Sequence, residues 1–90
     1  MTISKQILQQ LRGRGHTLKP VVMIGHAGVT EAVLKEIDNA LSTHELIKIK
    51  LAGIGRDARP DAITQICETL HCDLIDAIGQ VAVCYRPKPE

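Results

Sequence analysis

The residues with the clearest chemical potential lie in one run, Lys19-Pro20-Val21-Val22-Met23-Ile24-Gly25-His26-Ala27-Gly28-Val29-Thr30-Glu31. Val21 to Ile24 read as a buried strand. A Gly-x-x-Gly turn follows and leads straight into an amphipathic segment with helical spacing. Two glycines beside the positive end of a helix can lay backbone N–H groups against a phosphate. Taken alone, Gly25 and Gly28 equally mark an ordinary strand-to-helix turn. His26 suits either a phosphate contact or a permissive loop position. There is no Gly-Lys-Ser/Thr ending and no GxGxxG, so the run is neither a P-loop nor a dinucleotide fingerprint.

Acidic residues fall mainly on the helices, while basic residues gather elsewhere: Arg12, Arg14 and Lys19 before the first strand, Lys48 and Lys50 in the second, and Arg56 and Arg59 in the loop after it. Lys48 and Lys50, two residues apart on a strand, share one face. They read either as a solvated sheet face or as a basic surface continuous with Lys19 and the glycine loop. In a parallel α/β sheet the loops after the first and second strands lie at the same edge. The glycine loop and the arginine-bearing loop should therefore meet, which favours the phosphate reading. The net charge is only +1, so the distribution of charge matters more than its sum. Tyr85 is the one aromatic residue, which excludes a base-stacking platform.

Catalytic and metal constellations are not legible. His16, His26, His44 and His71 fall on unrelated elements, with no partnered nucleophile or paired carboxylates. In His71-Cys72-Asp73 adjacent side chains point apart, and no second cluster completes a site. Cys67, Cys72 and Cys84 lack CxxC spacing and read as small buried or half-buried hydrophobes in a reducing compartment. No catalytic residue, metal or cofactor is expected. The first residues do not follow a signal-peptide pattern and no apolar run approaches a membrane span, so a cytoplasmic protein with no membrane partner is expected.

The elements that position these residues can be read in turn. The 90 residues make one domain, 1–90, which buries about 60% or slightly more of its unfolded surface. Helical spacing predicts a first helix over 2–12, ended by Gly13. Thr30 is a natural N-cap for a second helix ending near Thr43. Strand two, 46–52, alternates: Ile47, Ile49 and Leu51 one way, Leu46, Lys48 and Lys50 the other. Helices should thus cover one face of the sheet, with water reaching at least part of the other. Pro60 opens a third helix, and strands at 73–78 and 81–86 join tightly at Gly79-Gln80. The order α-β-α-β-α-β-β gives a two-layer α/β sandwich with a mixed four-stranded sheet. Ile24, Val33, Ile37, Ile47, Ile49, Ile63, Ile66 and Leu70 are its expected core. Pro87-Lys88-Pro89-Glu90 reads as a tail.

Four motifs in this order and spacing resemble one family. They are Leu18-Lys19-Pro20-Val21-Val22, Gly25-His26-Ala27-Gly28-Val29-Thr30-Glu31, His44-Glu45-Leu46-Ile47-Lys48-Ile49-Lys50, and Ile78-Gly79 with Tyr85-Arg86-Pro87. Together they look like the CRM domain (chloroplast RNA splicing and ribosome maturation), in its stand-alone, YhbY-like bacterial form. The resemblance spans about Ile3 to Pro87. It implies a fold similar to the C-terminal domain of bacterial translation initiation factor three. It also implies a non-enzymatic RNA-binding protein that associates with ribosomal RNA or large-subunit precursor particles and assists their assembly. Carried over, the RNA contact is Gly25, His26, Ala27 and Gly28, supported by Lys19, Lys48 and Lys50; the charge pattern adds Arg56 and Arg59. A monomer is expected. The competing reading is a protein-interaction module docking on a ribosomal protein, and an enzyme acting on a nucleotide or phosphorylated metabolite stands third.

Overall fold

The computed structural model describes residues 3–88. The chain runs α1 (Lys5–Thr17), β1 (Pro20–Met23), α2 (Glu31–His44), β2 (Leu46–Lys50), a 3₁₀ turn (Arg56–Ala58), α3 (Arg59–Leu70), β3 (Asp73–Ile78) and β4 (Val81–Tyr85). The sheet order is β1-β2-β4-β3. β1 and β2 are parallel, while β2–β4 and β3–β4 are antiparallel. The expected α/β class, element order and mixed four-stranded sheet are all present.

The main core lies between the sheet and the helices α2 and α3. Ile24, Ile37, Leu41, Ile47, Ile49 and Ile66 are fully buried there. Val33, Ile63 and Leu70, expected in this core, sit half-buried at its margin. The alternation of β2 explains a second, smaller cluster on the opposite face. Leu46 joins Ile75, Val83 and Leu11 of α1 there. α1 thus adds a partial third layer, and the rest of that face stays open beside Lys48 and Lys50.

The first helix departs from expectation. Its start is fixed by Ser4, whose Oγ accepts from the Ile7 N–H at 3.3 Å; Thr2 lies outside the described residues. It does not stop at Gly13 but continues to Thr17. Gly15 is buried, and a Cβ there would stand 2.9 Å from a Val83 methyl. Close helix–sheet contact offsets the low helix propensity of glycine. The tail also differs. The Arg86 N–H donates to the Glu45 carbonyl at 2.9 Å, and the Lys88 N–H to Glu45 Oε2 at 2.8 Å. Pro89 and Glu90 lie outside the described residues. Among the described residues no helix is long and apolar enough to cross a membrane.

Candidate nucleic-acid interface

The glycine turn stands where the sequence places it, between β1 and α2. Gly25, His26 and Ala27 are exposed. The Gly28 N–H donates to the Gly25 carbonyl at 3.0 Å, closing the turn, and Gly28 has φ +77°. That conformation favours glycine. At Gly25 the backbone is not left-handed and a Cβ would meet nothing within 4 Å. Neither φ nor internal packing demands glycine there, so the space above it is open to a ligand. Thr30 caps α2 by accepting from the Val33 N–H at 3.2 Å. Glu31 occupies the first turn and partly offsets the positive helix end. Attraction for phosphate must therefore come mainly from side-chain cations.

The loop after β2 forms the bed of this turn. The Gly53 N–H donates to the Ile24 carbonyl at 2.9 Å, and a Cβ on Gly53 would overlap the backbone of Gly25 and His26. The two loops meet at the shared carboxyl edge of β1 and β2, as the parallel pairing requires. Nothing in the sequence around Gly53 marks this requirement. It arises from backbone more than twenty residues away, and only the preceding strand's carboxyl edge hints at it.

The cations divide into groups. Lys48 and Lys50 project from β2 on the α1 side of the sheet, both half-buried. The Lys48 ammonium reaches the His16 carbonyl at 3.5 Å. Lys50 is the β-partner of Met23, two residues before Gly25 of the turn. Val21 and Met23 share this face and are 49% and 61% exposed. Arg56 is exposed in the 3₁₀ turn. Arg59 is tethered instead: its Nε donates to the Ile54 carbonyl at 3.1 Å and its Nη1 to the Gly79 carbonyl at 3.3 Å. That fixes the loop and leaves less of the guanidinium for a ligand. Lys19 is exposed but precedes β1, at the end of the strand away from the glycine turn. Six residues at about 3.3 Å each put it about 20 Å from Gly25. The structure thus brings Lys50 and the Gly53 loop close to the turn and continues the basic face through Lys48 to Lys19, which lies beside Lys48 at the end away from the turn.

Arg86, from the Tyr85-Arg86-Pro87 motif, has an internal task. It pairs with Asp38 Oδ1 at 2.7 Å and donates to the Asp38 and Leu70 carbonyls and to Ser42 Oγ, at 2.9 to 3.0 Å. One guanidinium therefore ties the end of β4 to α2 and α3.

Topology and site together define a small α/β domain that presents a glycine turn and a basic sheet face at one edge. The CRS1 / YhbY (CRM) domain matches residues 3–86, and the chain belongs to that family. A Haemophilus influenzae protein named as an RNA-binding protein is 45% identical over 89 residues, covering 99% of this chain and 90% of its own length. A Pseudomonas aeruginosa protein named as a probable RNA-binding protein is 40% identical over 90 residues, covering all of this chain and 86% of its own. The solution structure of a Staphylococcus aureus protein, described as a candidate RNA-binding protein, superposes with a TM-score of 0.84. It is 28% identical, and the match covers 99% of this chain and 93% of that one.

Proposed function

We propose that this protein binds RNA by its sugar–phosphate backbone, and that its target is ribosomal RNA in large-subunit precursor particles, whose assembly it assists. The observation that carries the reading is the exposed turn 25–28, held on the Gly53 loop with open space above Gly25 and the Lys48–Lys50 face beside it. Family membership and the names of the relatives support RNA as the ligand. Gly25 and Gly28 let a backbone approach closely, and Lys50, Lys48 and Lys19 supply charge along one face. His26 and Ala27 form the contact tip, while Arg56 and the tethered Arg59 contribute at the periphery. No covalent step is part of this function, and the protein acts in the cytoplasm as a monomer.

Crosslinking in cells, with sequencing of the bound RNA, tests the target. Large-subunit ribosomal RNA should dominate the crosslinks; a broad scatter over messenger RNA would contradict the assembly role. One observation favours a second reading. β1 is an edge strand with Val21 and Met23 exposed, a surface on which a ribosomal protein could dock. Co-sedimentation with precursor particles that survives nuclease treatment would favour that alternative.

A further inference from the structure

Outside the RNA face, three thiols converge under the end of α3. The helix closes in a Schellman-type turn: His71 takes a left-handed conformation, φ 54°, and both its N–H and that of Cys72 donate to the Cys67 carbonyl. This turn folds the residue after the cap back over the last helical turn. It sets Cys72 beside Cys67 despite the absence of CxxC spacing. Cys84 reaches the same place from β4, on the face covered by α2 and α3. The three Sγ atoms all lie within 4.8 Å of one another. Cys72 and Cys84 are buried, Cys67 is half-buried at the open side, and all three are free thiols.

We propose that Cys67, Cys72 and Cys84 form a three-thiolate site for one soft metal ion, with Cu(I) the ion that it fits. Thiolate sulfur selects soft ions. Metal–sulfur bonds of about 2.3 Å in a flat three-fold arrangement place the sulfurs about 4 Å apart. The observed cluster needs only small side-chain adjustments to reach that spacing. Among the described residues no fourth histidine, cysteine or carboxylate joins the group. A structural zinc site takes four protein ligands, whereas Cu(I) accepts three. Each thiol that ligates releases its proton to solvent. The ion would enter at Cys67, the half-buried thiol at the open side.

The test is anaerobic titration of the reduced protein with Cu(I) against a competing Cu(I) chelator, followed by X-ray absorption and melting of the loaded protein. We expect one Cu(I) per chain, a first shell of three sulfurs and a higher melting temperature. The unfolded chain offers the same thiols, so a rise in melting temperature reports the preformed geometry and not the thiol count. Cys67→Ser should melt like the metal-free parent, because the position is half-buried. It should give up copper at chelator concentrations where the parent retains it. If Cys67→Ser folds poorly, Cys67→Ala serves in the same assay. A two-sulfur shell, an unchanged or lowered melting temperature, or equal retention by the folded variant would overturn the proposal.

Discussion

At the scale of single residues, the two glycines of the turn have different tasks, and a pair of substitutions separates them. Gly28 sits at φ +77°, so Gly28→Ala should destabilise the fold by about 1 kcal/mol. Gly25 carries neither a left-handed backbone nor a close neighbour. Gly25→Ala should leave stability within about 0.5 kcal/mol and still weaken RNA binding, since the added methyl stands in the open space. Denaturant melts and binding titrations on both variants check this; the reverse pattern would move the site away from Gly25. The turn itself was legible because a strand-end glycine pair followed by a capping threonine is a local pattern. Gly53 was not, because its lack of a side chain answers to backbone on the neighbouring strand's loop. The same holds for Arg59: its charge is visible in sequence, whereas the carbonyls of Ile54 and Gly79 that hold it are gathered only by folding.

At the scale of elements, the helix that runs past its apparent stop is the instructive case. Gly13 and Gly15 look alike in sequence and signal an ending. In the fold Gly13 meets nothing, whereas Gly15 lies against Val83. Gly13→Ala should therefore stabilise the protein by about 0.5–1 kcal/mol through helix propensity. Gly15→Leu should destabilise it by about 1–3 kcal/mol through overpacking against β4. Thermal or urea unfolding distinguishes the two. The strands and the later helices are legible because each carries its own alternation, cap or proline. The end of α1 was not, because a packing contact with a strand near the other end of the chain decides it. Arg86 makes a similar point at the far terminus. Its fork joins Asp38, Ser42 and Leu70 across two helices, so Arg86→Ala should cost about 1–3 kcal/mol. Arg86→Lys should not restore the loss, because an ammonium cannot span those acceptors in a fixed plane. Recovery of full stability by lysine, measured by urea unfolding, would refute the clamp.

At the scale of the whole molecule, charge is placed rather than accumulated. A net charge of +1 gives little general attraction for polyanions, so the proposed RNA contact depends on the placement of a few cations. Lys50, Lys48 and Lys19 form the face that runs from the turn, whereas Arg59 is tethered and Arg56 lies with it on the side of the β3–β4 hairpin. Three contacts predict a slope of log K against log salt of about −2 to −3. Replacing Lys48 and Lys50 together by Gln should flatten it by about one to two units and weaken binding alike across RNA sequences. Titrations at several salt concentrations check both numbers, and an unchanged slope would make the lysine pair a merely solvated face. The most direct test of the central claim concerns the tip of the turn. Ala27→Asp puts a carboxylate where a phosphate is expected, at an exposed position whose substitution should change stability by only about 0.5 kcal/mol. The measurement is the affinity of this variant for large-subunit ribosomal RNA, beside its melting temperature. The account predicts normal melting with strongly reduced affinity; normal melting with unchanged affinity would show that the turn is not the RNA contact.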